Sequence, residues 1–184
     1  MASATALLTA AEFWQLPASR TMRRELVRGE VIESMPPGGR HSRIVAKLIM
    51  RLGFWAESSR QGEVCADAGF HLSSGPDTVR GPDVYYVRAA RVPATGVPVR
   101  YWEIPPDLAI EVVSLGDSAA EIHEKVADYL NAGTHQVWVV YPSTQVIVIH
   151  TPDSFARTLR VNDTLTAPDL LPGFSCPVAE LFAN

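Results

Sequence analysis

Cysteine is nearly absent from this sequence: 184 residues contain only Cys65 and Cys176, far apart and without CxxC spacing. That excludes a disulfide framework and a multi-cysteine zinc site, and a reducing cytoplasm is the expected setting. Lysine is equally scarce, with Lys47 and Lys125 the two among sixteen basic residues, so arginine carries most of the positive charge. Long apolar runs are missing as well. The segment TALLTAAEFW breaks off too soon for a signal or membrane helix, no basic segment precedes it, and no membrane is expected as a partner. There is no low-complexity tract, no repeat at a fixed period, and no GxSxG, P-loop or complete GxGxxG motif. His123-Glu124 begins like HExxH, but Ala127 stands where the second histidine belongs, which excludes that zinc site.

What remains is an ordinary globular composition. With 47% hydrophobic residues, the chain can bury a full core, and residues 1–184 read as one domain without a linker. The formal charge of −4 does not suit a protein that coats nucleic acid. The charge is unevenly spread, however: residues 1–60 hold nine basic and five acidic side chains, the remainder seven and fifteen. A basic N-terminal part beside an acidic remainder suits a polyanion meeting a carboxylate-lined site, and charge alone equally describes two solvated surfaces.

Along the chain, Thr9-Ala10-Ala11-Glu12 fits a capping box that starts a short helix. RELVRGEVIES reads as two strands turning at Arg28-Gly29. PPGGRHS breaks the pattern, and Ile44, Val45, Leu48, Ile49, Leu52 and Trp55 then recur at helical spacing. GEVCADAGFHLS and TVRGPDVYYVRA read as one strand each, and a loop from about residue 89 to 105 delivers the apolar run 108–113. Ser118 caps a helix that stops at Gly133, and HQVWVVYP forms a second continuous apolar strand. Strand-helix-strand between 108 and 140 implies a parallel crossover. QVIVIHTP and RTLRV form an outer hairpin, and the tail is a turn with a short helix. The fold class is α/β bordering on α+β, with a central mixed sheet flanked by helices and additional β-hairpins.

Four charged residues fall where the pattern predicts burial. Glu111 lies inside the apolar strand PDLAIEVVS, where an ionised group needs a partner charge or a metal. Asp83 lies in RGPDVYYV as a strand begins, and Glu25 opens the first hairpin beside Leu26 and Val27. Lys125 follows on the next helix, about 60° from Ile122 and about 40° from Tyr129 at roughly 100° per residue, on the shoulder of the apolar stripe. Glu121, Glu124 and Asp128 fall on the side expected to face solvent, and His123 on an exposed flank. Each residue also has a bland reading: a turn aspartate, an edge-strand glutamate, a lysine whose ammonium reaches water. Together, carboxylates from neighbouring strands suit a hard divalent cation, and a nearby lysine suits the orientation of water or stabilisation of a phosphoryl transition state. His41, beside the basic N-terminal part, could approach phosphate but reads better as a loop residue, and Arg20, Arg23, Arg24, Arg40 and Arg43 are candidates for phosphate contact that surface solubility explains equally well.

The order RELVRGEVIE, helix, GPDVYYV, PDLAIEVVS, EKVADYLNAG, QVWVVYP resembles the Uma-type family of bacterial restriction endonuclease-like proteins, within the PD-(D/E)XK nuclease superfamily. The resemblance runs from about residue 9 to 182. It implies a restriction-endonuclease-like core and an endonuclease that hydrolyses phosphodiester bonds in DNA with Mg²⁺, for which Mn²⁺ substitutes. Asp83 and Glu111 match the two metal-binding acids, the carbonyl of Val112 is expected to complete the metal shell, and Glu25 resembles the early acid of such sites. The sequence departs from the superfamily pattern at Val113, where lysine is usual, and Lys125 looks like its migrated replacement. Nuclease precedent also suggests a homodimer. The residues alone leave two alternatives, a non-catalytic assembly module on a nuclease fold and a hydrolase of RNA or another phosphodiester.

Overall fold

A computed structural model describes residues 7–183; Thr5 and Ala6 of the TALLTAAEFW segment lie outside them. The capping box forms as expected. The Thr9 hydroxyl accepts from the Glu12 N–H and the Glu12 carboxylate takes the Thr9 N–H, starting helix α1 (Ala10–Gln15). Strands β1 (Arg23–Val27) and β2 (Glu30–Ser34) pair across Arg28 and Gly29, both left-handed, as a two-residue hairpin turn requires. Helix α2 (Gly39–Ser59) buries Ile44, Leu48, Leu52, Trp55 and Ala56 on one stripe. It starts earlier than the hydrophobic spacing indicates, so Gly39, Arg40, His41 and Ser42 are its first turn rather than a loop.

The next two segments each divide in two. GEVCADAGFHLS yields β3 (Gly62–Cys65) and β4 (Phe70–Ser73); TVRGPDVYYVRA yields β5 (Thr78–Arg80) and β6 (Val84–Arg88). Pro82 has no N–H for a ladder, and the chain leaves one sheet for another at Gly81-Pro82-Asp83. Strand β7 (Leu108–Val112) follows, then α3 (Ala119–Ala132), capped by Ser118 and Glu121 and ended by Gly133 in the left-handed conformation. Strands β8 (Gln136–Tyr141), β9 (Val146–His150) and β10 (Ala156–Leu159) precede a small pair, β11 (Thr164–Leu165) with β12 (Cys176–Pro177), and helix α4 (Val178–Phe182).

Six strands form the central sheet in the order β10-β9-β8-β7-β6-β3, with β7 and β8 parallel and the other neighbours antiparallel. This is the expected mixed sheet with its strand-helix-strand crossover. The N-terminal hairpin belongs instead to a second sheet, in the order β2-β1-β5-β4. Strand alternation sorts the central sheet's faces. Leu108, Ile110, Val112, Trp138 and Val140 pack with the α2 stripe and the C-terminal segment. Ala109, Val137 and Val139 pack on Ile122, Val126 and Tyr129 of α3. Full burial of a side chain such as Leu48 or Ile110 contributes about 1.5–3 kcal/mol, so both helices are fixed by many such contacts. Among the described residues no helix is long and apolar enough to cross a membrane.

Candidate active site

The same alternation directs Glu111 toward α3, because it shares a face with Ala109. Glu111 is 4% exposed and fully partnered: Lys125 Nζ donates to Oε2 at 3.0 Å and the Tyr129 hydroxyl donates to Oε1 at 2.9 Å. Lys125 and Tyr129 lie four residues apart on α3, on one side of the helix, so a single turn serves both oxygens. Burial pushes the Glu111 carboxyl up to about 7 against the pull of Lys125, and the charges of Asp83 and Glu25 push the same way as burial. Burial opposes the charge on Lys125, but Glu111 and Glu25 outweigh it and raise the ammonium above its ordinary value. Tyr129 is raised well above its own, by burial first and then by Glu111.

Asp83 stands at the junction between the sheets, 5% exposed. Val84 pairs with Ile110, and beyond that pair β6 supplies no further ladder residue; the Asp83 Oδ2 instead takes the Val112 N–H at 2.8 Å. The same oxygen lies 3.0 Å from His41 Nε2, and Oδ1 accepts from an Arg23 guanidinium nitrogen at 2.9 Å. Burial pushes the Asp83 carboxyl up, but the His41 hydrogen bond and charge, the Val112 N–H and Arg23 together hold it below the usual range. An ionised carboxylate only accepts, so His41 Nε2 carries the hydrogen of that contact, and His41 Nδ1 is buried without a partner.

Glu25 comes from the second sheet. Its Oε2 accepts from Arg80 at 3.0 Å and lies 3.5 Å from Lys125 Nζ, and its Oε1 accepts the Gly81 N–H at 2.9 Å. Arg80 is 3% exposed and also donates to Asp128 of α3 at 2.9 and 2.7 Å. Lys125 therefore lies between two carboxylates, one from each sheet, with the buried Arg80 fixing one of them. Asp128 is half-buried and tied to this arginine, whereas His123 is exposed as expected.

This donor set fits a hard divalent cation. Asp83 and Glu111 offer oxygen, and the charge of Asp83 disfavours that of Glu111, an imbalance that a cation would relieve. Among the described residues no three His, Cys, Asp or Glu side chains form a ready-made metal-binding group. Two carboxylates plus retained waters is the mode Mg²⁺ favours. The sequence pattern of the Uma2 family, described as "Putative restriction endonuclease", matches residues 10–179. The chain belongs to the Uma2 family.

A solved relative in fold is the crystal structure of "a putative nuclease belonging to DUF820 from Anabaena variabilis", with a TM-score of 0.85 over 95% of this chain and 97% of that one. At 21% identity this likeness is one of fold. No curated protein matches the chain. Within this Uma2 fold, Val113 packs with the α3 face, on the same side of β7 as Glu111. The side chain two positions after Glu111 is thus apolar, and the ammonium reaches Glu111 from α3 instead.

The structure brings Asp83, Glu111, Lys125 and Glu25 into one electrostatic cluster, and Val112 joins it through its N–H. Sequence reasoning left His41 in a loop and passed over Arg80. His41 had a readable signal: it precedes Ile44 by three and Leu48 by seven, on the same helical stripe.

Proposed function

We propose that this chain is a divalent-metal-dependent endonuclease that hydrolyses phosphodiester bonds in DNA. The observation that carries the reading is the pairing of buried Glu111 with Lys125 beside a second buried carboxylate, Asp83, at adjoining positions of neighbouring strands. Asp83, Glu111 and the Val112 carbonyl would hold Mg²⁺ or Mn²⁺. The bound cation supplies Lewis-acid stabilisation of phosphoryl charge and lowers the pKa of a coordinated water. Lys125 presents an ammonium beside Glu111, suited to orienting the attacking water or to stabilising charge on the reacting phosphoryl oxygens. Glu25 lies 3.5 Å from that ammonium and can accept a hydrogen bond from water. The uneven charge distribution agrees with this reading, since the strand carrying Arg23 and Arg24 lies in the basic N-terminal part.

The test is cleavage of plasmid, linear duplex and single-stranded DNA and RNA with Mg²⁺ or Mn²⁺, using wild type, Asp83→Asn, Glu111→Gln and Lys125→Met. Each substitution is expected to lower the rate by about 100-fold or more. Cutting that survives all three removes the site from the mechanism. Absence of cutting in wild type, with no thermal stabilisation by either cation, assigns the chain to the non-catalytic alternative. Cleavage confined to RNA overturns the DNA assignment.

A further inference from the structure

The two oxygens of Asp83 are held differently. Oδ2 is fixed from inside the protein by the Val112 N–H and the buried His41. Oδ1 is held from outside by Arg23, whose side chain is 35% exposed. Arg23 spreads its fork: one terminal nitrogen reaches Asp83, and the other contacts Asp67, an exposed residue in the turn between β3 and β4. Arg23 also senses the charge of Glu111. Two other arginines close to the site are committed elsewhere: Arg24 to Glu33 and the Pro17 carbonyl, Arg80 to Glu25 and Asp128.

We infer that Arg23 is the substrate-binding arginine of this site, releasing Asp83 Oδ1 when a divalent cation occupies that carboxylate and engaging a phosphate of the nucleic acid instead. This rests on the metal-dependent reading above and adds the residue that couples metal binding to substrate binding. The exchange conserves charge pairing. The cation replaces the guanidinium beside Asp83, and the phosphate replaces Asp83 beside the guanidinium. The terminal nitrogen that leaves Asp83 can donate to a phosphate oxygen while the other stays on Asp67. Oδ1 is the oxygen free to change partner, because giving up Oδ2 would strand the Val112 N–H and leave the His41 ring with neither nitrogen bonded.

The experiment uses the full chain as wild type, Arg23→Gln and Arg23→Lys. Titration calorimetry with Mn²⁺ alone is expected to show Arg23→Gln binding the ion about ten-fold tighter than wild type, because a competing charge-assisted hydrogen bond is gone. Affinity for a hydrolysis-resistant phosphorothioate duplex is then measured across a salt series by fluorescence anisotropy, with and without Mn²⁺. In wild type, Mn²⁺ should steepen the dependence of log K on log salt by about one, the signature of one added phosphate contact. Arg23→Gln should lose that steepening, and Arg23→Lys, which keeps the charge, should retain it. The inference is overturned if Arg23→Gln binds Mn²⁺ no more tightly than wild type, or if it keeps the steepening. It is equally overturned if a folded Arg23→Lys protein loses the steepening. Wild type that gives neither Mn²⁺ binding heat nor a Mn²⁺-dependent melting shift instead removes the metal site itself, and the inference with it.

Discussion

Lys125 Nζ lies 3.0 Å from Glu111 Oε2, bridging a helix and the middle strand it packs against. With 23% of its side chain exposed, Lys125 reaches solvent while its partner does not. The first prediction follows from that asymmetry. Lys125→Met leaves Glu111 buried beside two other acids without its cation and should destabilise the fold by about 2–4 kcal/mol, as read by urea denaturation. Adding Glu111→Gln to that variant should restore much of the loss without restoring cleavage. A double variant no more stable than Lys125→Met would show that the pair is not the source of the cost.

A second prediction concerns pH. The Glu111 carboxyl is raised from 4.5 to about 7 by burial, so between those values the native state holds a proton that the unfolded chain has released. Stability from this group therefore falls as pH rises through that window, and the full cost of the buried charge is present above it. Glu111→Gln should flatten the fall in melting temperature between pH 5 and pH 8. Because cation and proton compete for the same carboxylate, stabilisation by Mg²⁺ should be larger at pH 8 than at pH 5 in wild type.

Arg80 supports the third. Its guanidinium joins Glu25 of the second sheet to Asp128 of α3 from a position almost closed to water. Arg80→Ala should cost about 3–5 kcal/mol by stranding both acids. Arg80→Lys should recover only part of this, because an ammonium cannot span both carboxylates as the fork does. Chemical denaturation of the two variants checks the ranking, and equal stability of Arg80→Lys and wild type would refute it.

The fourth lies away from the site. Asp107, fully buried just before β7, accepts the Arg88 N–H at 2.9 Å and forms an ion pair with the Arg91 guanidinium, also at 2.9 Å. Asp107→Ala should destabilise by about 2–4 kcal/mol and leave the cleavage rate per folded molecule unchanged. A selective loss of rate with stability intact would contradict this structural role.

How far the sequence could be read depends on the kind of order involved. The apolar run 108–113 announces a strand covered on both faces, and its lone acid announces a partner, because both follow from local pattern and the cost of buried charge. Helical angle puts Lys125 on the inner shoulder of its stripe, and only its combination with the nearby acids and the family resemblance singles it out. Asp128 was placed toward solvent by the same geometry and is bound to Arg80, because the second sheet packs its β4 strand against α3. A hydrophobic stripe points a helix at its main core but says nothing of polar contacts arriving from another sheet. The division of TVRGPDVYYVRA between sheets was hidden for a related reason: Pro82 marks a break in the ladder, not the direction the chain takes afterwards. His41 reads as a loop residue from sequence because the glycines before it obscure where α2 begins.

The strand-helix unit that carries Glu111, Lys125 and Tyr129 gives the cluster two halves that differ in chain distance. Lys125 and Tyr129 lie 14 and 18 residues from Glu111, whereas Arg23 lies 60 residues from Asp83 and His41 lies 42 away. Bringing Arg23 to Asp83 costs about 1.3 kcal/mol more loop-closure entropy than bringing Lys125 to Glu111. The lysine–glutamate half lies within one strand-helix unit, whereas the Asp83 half draws on the N-terminal strand and α2. Glu111 thus has its ammonium within its own strand-helix unit, whereas neutralising Asp83 depends on segments joined to it only by long-range contacts.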